Sequence, residues 1–116
     1  MIWSSIMETD QENRRFERYF LPVVIQVPDL SDLPLVPEDV SAGGFKVLVT
    51  TEPLLDREVE CSIQIANEVF DNCAATIVWA HENGDGTWYA GINIDSLTED
   101  RNFFDLTLSK ANQTMM

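Results

Sequence analysis

Residues 73–95 read CAATIVWAHENGDGTWYAGINID, and their pattern decides the fold. Cys73 to Ala80 is apolar on both faces, as expected of a strand buried in the middle of a sheet. Asn83-Gly84-Asp85-Gly86 follows and carries both dipeptides, Asn-Gly and Asp-Gly, that favour tight hairpin turns. The next stretch, Thr87 to Asp95, is therefore expected to return antiparallel beside Cys73–Ala80. An antiparallel β protein follows from this hairpin.

Upstream, the period of two persists. Val59, Cys61, Ile63 and Ile65 fall on one face of an extended chain, with Glu58, Glu60, Ser62 and Gln64 on the other. Phe45 to Thr50 is a second apolar strand, and Leu21, Val23, Ile25 and Val27 alternate in the same way. Between them, Pro28 to Pro37 holds three prolines and two aspartates and reads as loop or a poorly paired edge segment. With that edge segment there are six strand candidates. Downstream, Ser96-Leu97-Thr98-Glu99 fits a helix-start capping box, and Leu97, Phe104, Leu108 and Ala111 then recur at helical spacing. The expected architecture is mainly β: a six-stranded antiparallel sheet that hides its edges by closing into a β-barrel, with a C-terminal α-helix against an opening or a side.

A length of 116 residues suits one domain, and 45% hydrophobic residues supply one core. There is no room for a second folded output domain, so any effect passes through a partner or the chain is part of something larger. Residues 1–13 hold too few apolar side chains, Trp3, Ile6 and Met7, to form a core and read as a flexible N-terminal tail. Met1 to Glu12 has neither the basic start nor the apolar core of a signal peptide. No apolar run approaches the ~20 residues of a membrane span. A cytoplasmic protein without membrane insertion is expected. Cys61 and Cys73 lie in strand-like stretches and read as buried reduced thiols, with a disulfide as the alternative.

Twenty acidic residues against seven basic ones give a formal net charge of −13. DNA, RNA and anionic lipid are bound through extended basic patches, so this balance argues against them. A small anion differs, because at physiological salt charges are screened over roughly 8 Å and a compact ligand feels mainly its own pocket. Three of the seven cations, Arg14, Arg15 and Arg18, stand within five positions. Arginine offers a planar fork for bidentate phosphate contact and a flat face for purine stacking. The competing reading is a surface turn in which Arg14 and Arg18 pair with Asp10, Glu12 or Glu17. Farther on, Asp39-Val40-Ser41-Ala42-Gly43-Gly44 reads as a compact polar turn. Asp39 offers a carboxylate suited to a guanine N1–H/N2–H₂ edge. Ser41 and the backbone N–H groups near Gly43 and Gly44 offer donors to phosphate. Taken alone, it is equally a plain turn between strands.

Together and in this order, the two elements resemble the PilZ family of cyclic di-GMP receptors, whose signature is R-x-x-x-R followed by [D/N]-x-S-x-x-G. Arg14 and Arg18 match the first part; Asp39, Ser41 and Gly44 match the second. Ile77-Val78-Trp79 and Gly91-Ile92-Asn93-Ile94 look like the family's late hairpin, so the resemblance spans residues 14–110, with 111–116 as a C-terminal tail. His81 stands where members often carry a basic residue. The resemblance implies a six-stranded antiparallel PilZ-like barrel with a flexible N-terminal arm. It also implies cyclic di-GMP as the ligand. Arg14 and Arg18 would clasp phosphates and stack on guanine, with Arg15 assisting. Asp39 and Ser41 would read base edge and backbone, and Gly43 and Gly44 would lie in the close-approach turn. Trp79 would stand against the ligand, or else serve as a core tryptophan. Binding would fix the arm and so alter the surface seen by a downstream protein partner. The alternative function is a ligand-free PilZ-like adaptor acting through protein contacts in a motility, pilus or secretion system. No nucleophile–base pair, metal-ligand cluster or triphosphate loop suggests an enzyme, and no cofactor is implied.

Overall fold

The computed structural model of the protein describes residues 17–115. Its elements are β1 (Val24–Gln26), β2 (Asp39–Ser41), β3 (Gly44–Val49), β4 (Glu58–Ile65), β5 (Glu68–Glu82), β6 (Trp88–Ser96) and α1 (Arg101–Met115). All strand pairs are antiparallel, and the sheet order is β1-β4-β5-β6-β3-β2. The deciding hairpin is present: Ala80 faces Ala90, His81 faces Tyr89 and Glu82 faces Trp88 across β5 and β6. Its turn needs positive φ, which Gly84 (86°) and Gly86 (91°) supply at no steric cost. Asp85 accepts from the Thr87 N–H at 3.0 Å and from its hydroxyl, and these bonds hold its carboxyl below the usual range.

The six-stranded antiparallel sheet and its C-terminal helix are those the sequence implies. The sheet curls into a half-barrel. Register shifts on β4 between Cys61 and Ile63, and on β5 between Ala74 and Ala75 and between Ile77 and Trp79, bend the central strands where the curl is needed. The margins are drawn in by isolated bridges rather than a ladder. Tyr19 and Val40 exchange backbone bonds of 2.7 and 2.9 Å beyond β2, and Ile25 and Leu35 exchange bonds of 2.8 and 2.7 Å beyond β1.

Several boundaries differ from the sequence reading. The sixth strand is Asp39–Ser41, inside the stretch read as a turn, because Val40 is apolar and pairs with Phe45. In the run Leu21–Val27 only Val24–Gln26 joins a ladder, although Leu21, Val23, Ile25 and Val27 are all buried as their alternation requires. The capping-box residues do not start the helix: Ser96 ends β6, and the first helical bond runs from the Phe104 N–H to the Asp100 carbonyl at 3.1 Å. The helix continues to Met115, so residues 111–115, read as a tail, extend it.

Core side chains come from one face of every strand. Val40, Phe45, Val47, Val59, Ile63, Ile77, Ala90 and Ile92 are buried, and α1 adds Phe104 and Leu108, both fully buried. Phe104 meets Phe70 edge to face, with centroids 4.8 Å apart. Cys61 and Cys73 are free, buried and directly opposite each other on β4 and β5. A hydrogen bond with the Cys73 thiol, and burial, push Cys61 far above the usual thiol range.

Candidate functional site

Asp39 is held in extended backbone by β2, which places its side chain on the outer face of the sheet while Val40 points into the core. Its partner arrives from the chain entering the fold. Arg18 directly precedes Tyr19, and the Tyr19–Val40 bridge sets the arginine beside β2. Arg18 donates to Asp39 Oδ1 from its terminal nitrogen at 2.7 Å and from Nε at 3.2 Å, closing a contact across 21 residues of sequence. The two side chains are 37% and 19% exposed, so the pair is partly shielded and still reachable from solvent. Tyr19 beneath it is buried, and desolvation raises its phenol against a hydrogen bond with Ser109 of α1.

Beyond β2 the chain turns tightly. Ser41 is fully buried; its hydroxyl accepts from the Gly43 N–H at 3.1 Å and lies 3.5 Å from the Gly44 carbonyl oxygen, to which it donates. Ser41 thus shapes the turn from within. Gly44 is dictated by crowding: a Cβ there would overlap the Ile92 carbonyl oxygen and come within 3.3 Å of Asn93 Cα. The Gly43 carbonyl accepts from the Ile94 N–H at 2.9 Å, tying the turn to β6. Arg101, at the start of α1, donates to the Ala42 carbonyl at 2.7 Å and to the Asp95 carbonyl at 3.2 Å. It locks turn, β6 and helix together. No periodicity or motif in the sequence points to this role.

Strand register extends the face sideways. Asp39 lies opposite Lys46, Lys46 opposite Gly91, and Gly91 opposite Trp79, one row across β2, β3, β6 and β5. Neighbouring rows on the inner face are the buried pairs Val40–Phe45, Phe45–Ile92 and Ile77–Ile92, so this row points outward. The half-buried Trp79 indole lies over Gly91, where any Cβ would overlap it. Lys46 Nζ sits 4.4 Å from the centroid of the Tyr89 ring. The row therefore joins a guanidinium–carboxylate pair, an ammonium and an indole over three strand spacings, about 14 Å. Such a face can offer charge to an anion and flat surfaces to a planar base.

Of the residues singled out in the sequence, Arg18 and Asp39 meet directly, Ser41, Gly43 and Gly44 form the adjoining turn, and Trp79 lies farther along the row. Arg14, Arg15 and the segment 1–13 read as a flexible arm lie outside the described residues. His81 is exposed near the hairpin mouth. Among the described residues no cluster of three or more histidine, cysteine or acidic side chains is placed to hold a metal ion, and no helix is long and apolar enough to cross a membrane.

A family model described as the PilZ domain matches residues 12–105. The chain belongs to the PilZ family. This is a family of cyclic di-GMP receptors whose domains are typically non-catalytic. Among solved structures, the fold is similar to the Bacillus subtilis inhibitor of motility MotI/DgrA, with a TM-score of 0.68 at 11% identity, over 88% of this chain and 51% of that one. It is also similar to YcgR from Escherichia coli in complex with cyclic di-GMP, with a TM-score of 0.60 at 18% identity, over 88% and 45% of the two chains. The PilZ domain of YcgR with cyclic di-GMP gives a TM-score of 0.55 at 16% identity, over 87% and 89%. The chain thus spans about half the length of MotI/DgrA and of the longer YcgR chain. No curated protein matches this chain significantly.

Proposed function

We propose that this PilZ domain binds cyclic di-GMP on the outer face of the β2–β3–β6–β5 sheet and relays its presence to a partner protein. The observation that carries the reading is the Arg18–Asp39 contact, which joins the two halves of the signature on one reachable surface. Arg18, with Arg14 and Arg15 from the preceding segment, supplies guanidinium groups to phosphate and to guanine faces. Asp39 accepts from the guanine N1–H/N2–H₂ edge. Ser41, Gly43 and Gly44 act by holding a narrow turn beside it, and Trp79 offers a stacking face at the far end of the row.

The relay follows the covalent order of the chain. Arg18 is one residue from Tyr19, whose phenol bonds Ser109 on α1, and Arg101 joins the motif turn to the same helix. A ligand that reorganises Arg18 therefore acts on two anchors of α1. The domain itself performs no catalysis in this reading and works as a cytoplasmic sensor.

Calorimetry at about 150 mM salt tests the proposal, with cyclic di-GMP compared against GMP and cyclic di-AMP. Guanine-selective, saturable binding is expected. A charge-assisted hydrogen bond contributes about 1.5–3 kcal/mol, so Arg18→Ala should weaken binding roughly 10- to 150-fold. An Arg18→Ala variant that binds as tightly as the parent sinks the proposed site. Absence of binding by the parent protein favours the adaptor function instead.

A further inference from the structure

We propose that Lys46 is a specificity-determining residue of this site, reading the O6/N7 edge of a guanine whose N1–H/N2–H₂ edge rests on Asp39. The inference depends on the binding reading above and adds a residue to which neither signature motif extends. Asp39 and Lys46 are direct cross-strand partners, so their side chains leave the same face with Cβ atoms about 5 Å apart. A carboxylate accepts only, and an ammonium donates only. Guanine presents the complementary order on adjoining edges, donors at N1 and N2 and acceptors at O6 and N7. Adenine keeps the N7 acceptor but puts an N6–H₂ donor where guanine has O6, so an ammonium on that edge loses one of its two acceptors and faces a donor instead. Side by side, the two charges favour guanine twice over.

Among the cations of the described residues, Lys46 is the one that shares this row with the Arg18–Asp39 pair. Arg57 lies 3.4 Å from Asp29 on another edge, Arg101 is engaged with the Ala42 and Asp95 carbonyls, and Lys110 stands on α1. Lys46 instead holds its ammonium 4.4 Å from the Tyr89 centroid, over the outer face. That seat steadies the long stem without consuming the hydrogen-bond donors of the charged head, since an ammonium has three. Gly91, Lys46's other cross-strand partner, adds no side chain to the row.

The test compares the parent domain with Lys46→Met, which keeps the stem over Tyr89, and Lys46→Arg, which restores a cationic donor. Arg18→Ala serves as the clamp control. Affinities for cyclic di-GMP are measured by calorimetry and those for cyclic di-AMP by displacement titration; circular dichroism checks folding. Lys46→Met should bind cyclic di-GMP about tenfold or more weakly while cyclic di-AMP is unchanged or tighter, and Lys46→Arg should recover most of the preference. If Lys46→Met does not fold, Lys46→Gln replaces it with the same expectation. Loss of binding in Arg18→Ala with an undiminished preference in Lys46→Met overturns the role of Lys46 and leaves the clamp standing. Equal weakening for both ligands also overturns it, because Lys46 would then be a plain phosphate contact. No binding by the parent domain defeats the clamp and this inference together.

Discussion

Gly91→Ala adds a single methyl group and strikes the site from below. A Cβ on Gly91 would lie 2.5 Å from Trp79 Cδ1 and closer still to Nε1 and Cε2, so the indole must leave its seat across β6. Trp79 is half-buried and the obstacle is a side chain, which places the cost in the ordinary range for overpacking, about 1–3 kcal/mol. For a domain of this size that lowers the melting temperature by about 5–15 °C. The diagnostic measurement is a double-mutant cycle by thermal and urea unfolding. In a Trp79→Ala background the methyl group meets no indole, and the conformational restriction of alanine should leave Gly91→Ala neutral or stabilising by up to about 1 kcal/mol. The two substitutions should therefore couple by about 1–3 kcal/mol. Equal costs of Gly91→Ala in both backgrounds would refute the indole-over-glycine packing and, with it, the position of Trp79 in the outer row.

Three further outcomes follow from particular contacts. Arg101→Ala removes the carbonyl bonds that tie the turn, at Ala42, and β6, at Asp95, to α1, and it should destabilise the domain by about 1.5–3 kcal/mol, with the Gly43 and Gly44 amides losing protection in hydrogen exchange. Asp105 has a buried, unpartnered Oδ1, and desolvation, reinforced by Glu17, raises its pKa above the usual 3.8. The folded state then holds the proton more tightly than the unfolded one, so stability falls as pH rises through the window above 3.8. Asp105→Asn should accordingly stabilise the protein at pH 7 in urea titrations, with the advantage vanishing below about pH 3.8, where the parent carboxyl is protonated in both states. Cys61 and Cys73, buried and reduced, should resist a thiol reagent in the native protein and yield two reactive thiols in denaturant, whereas a count of zero there would reveal a disulfide.

The parts of the fold that were readable are those where one local force dominates. Alternation marked β3, β4 and the inner face of the chain before β1, and Asn83-Gly84-Asp85-Gly86 marked the central hairpin because only glycine accepts its backbone angles freely. Phe104 and Leu108 marked the helix face, whereas Leu97, read with them, lies before α1. Its start was misplaced because Ser96 satisfies two patterns, a helix cap and the end of an alternating strand, and the ladder with β5 prevails. Strand β2 was hidden for a similar reason: three residues flanked by turn formers carry no periodicity, and tertiary pairing with Phe45 and Tyr19 makes them extended. At the site, the pairing of Arg18 with Asp39 lies within the two signature motifs. The buried hydroxyl of Ser41, the anchoring by Arg101 and the alignment of Lys46 with Asp39 depend on register between strands distant in sequence.

The most direct measurement is the affinity of the purified domain for cyclic di-GMP, by calorimetry, with Asp39→Asn and Arg18→Ala beside the parent. Guanine-selective binding in the parent that weakens at least tenfold in each variant is the predicted result. Binding that persists undiminished when both members of the ion pair are altered would contradict a ligand site on the outer face of the sheet.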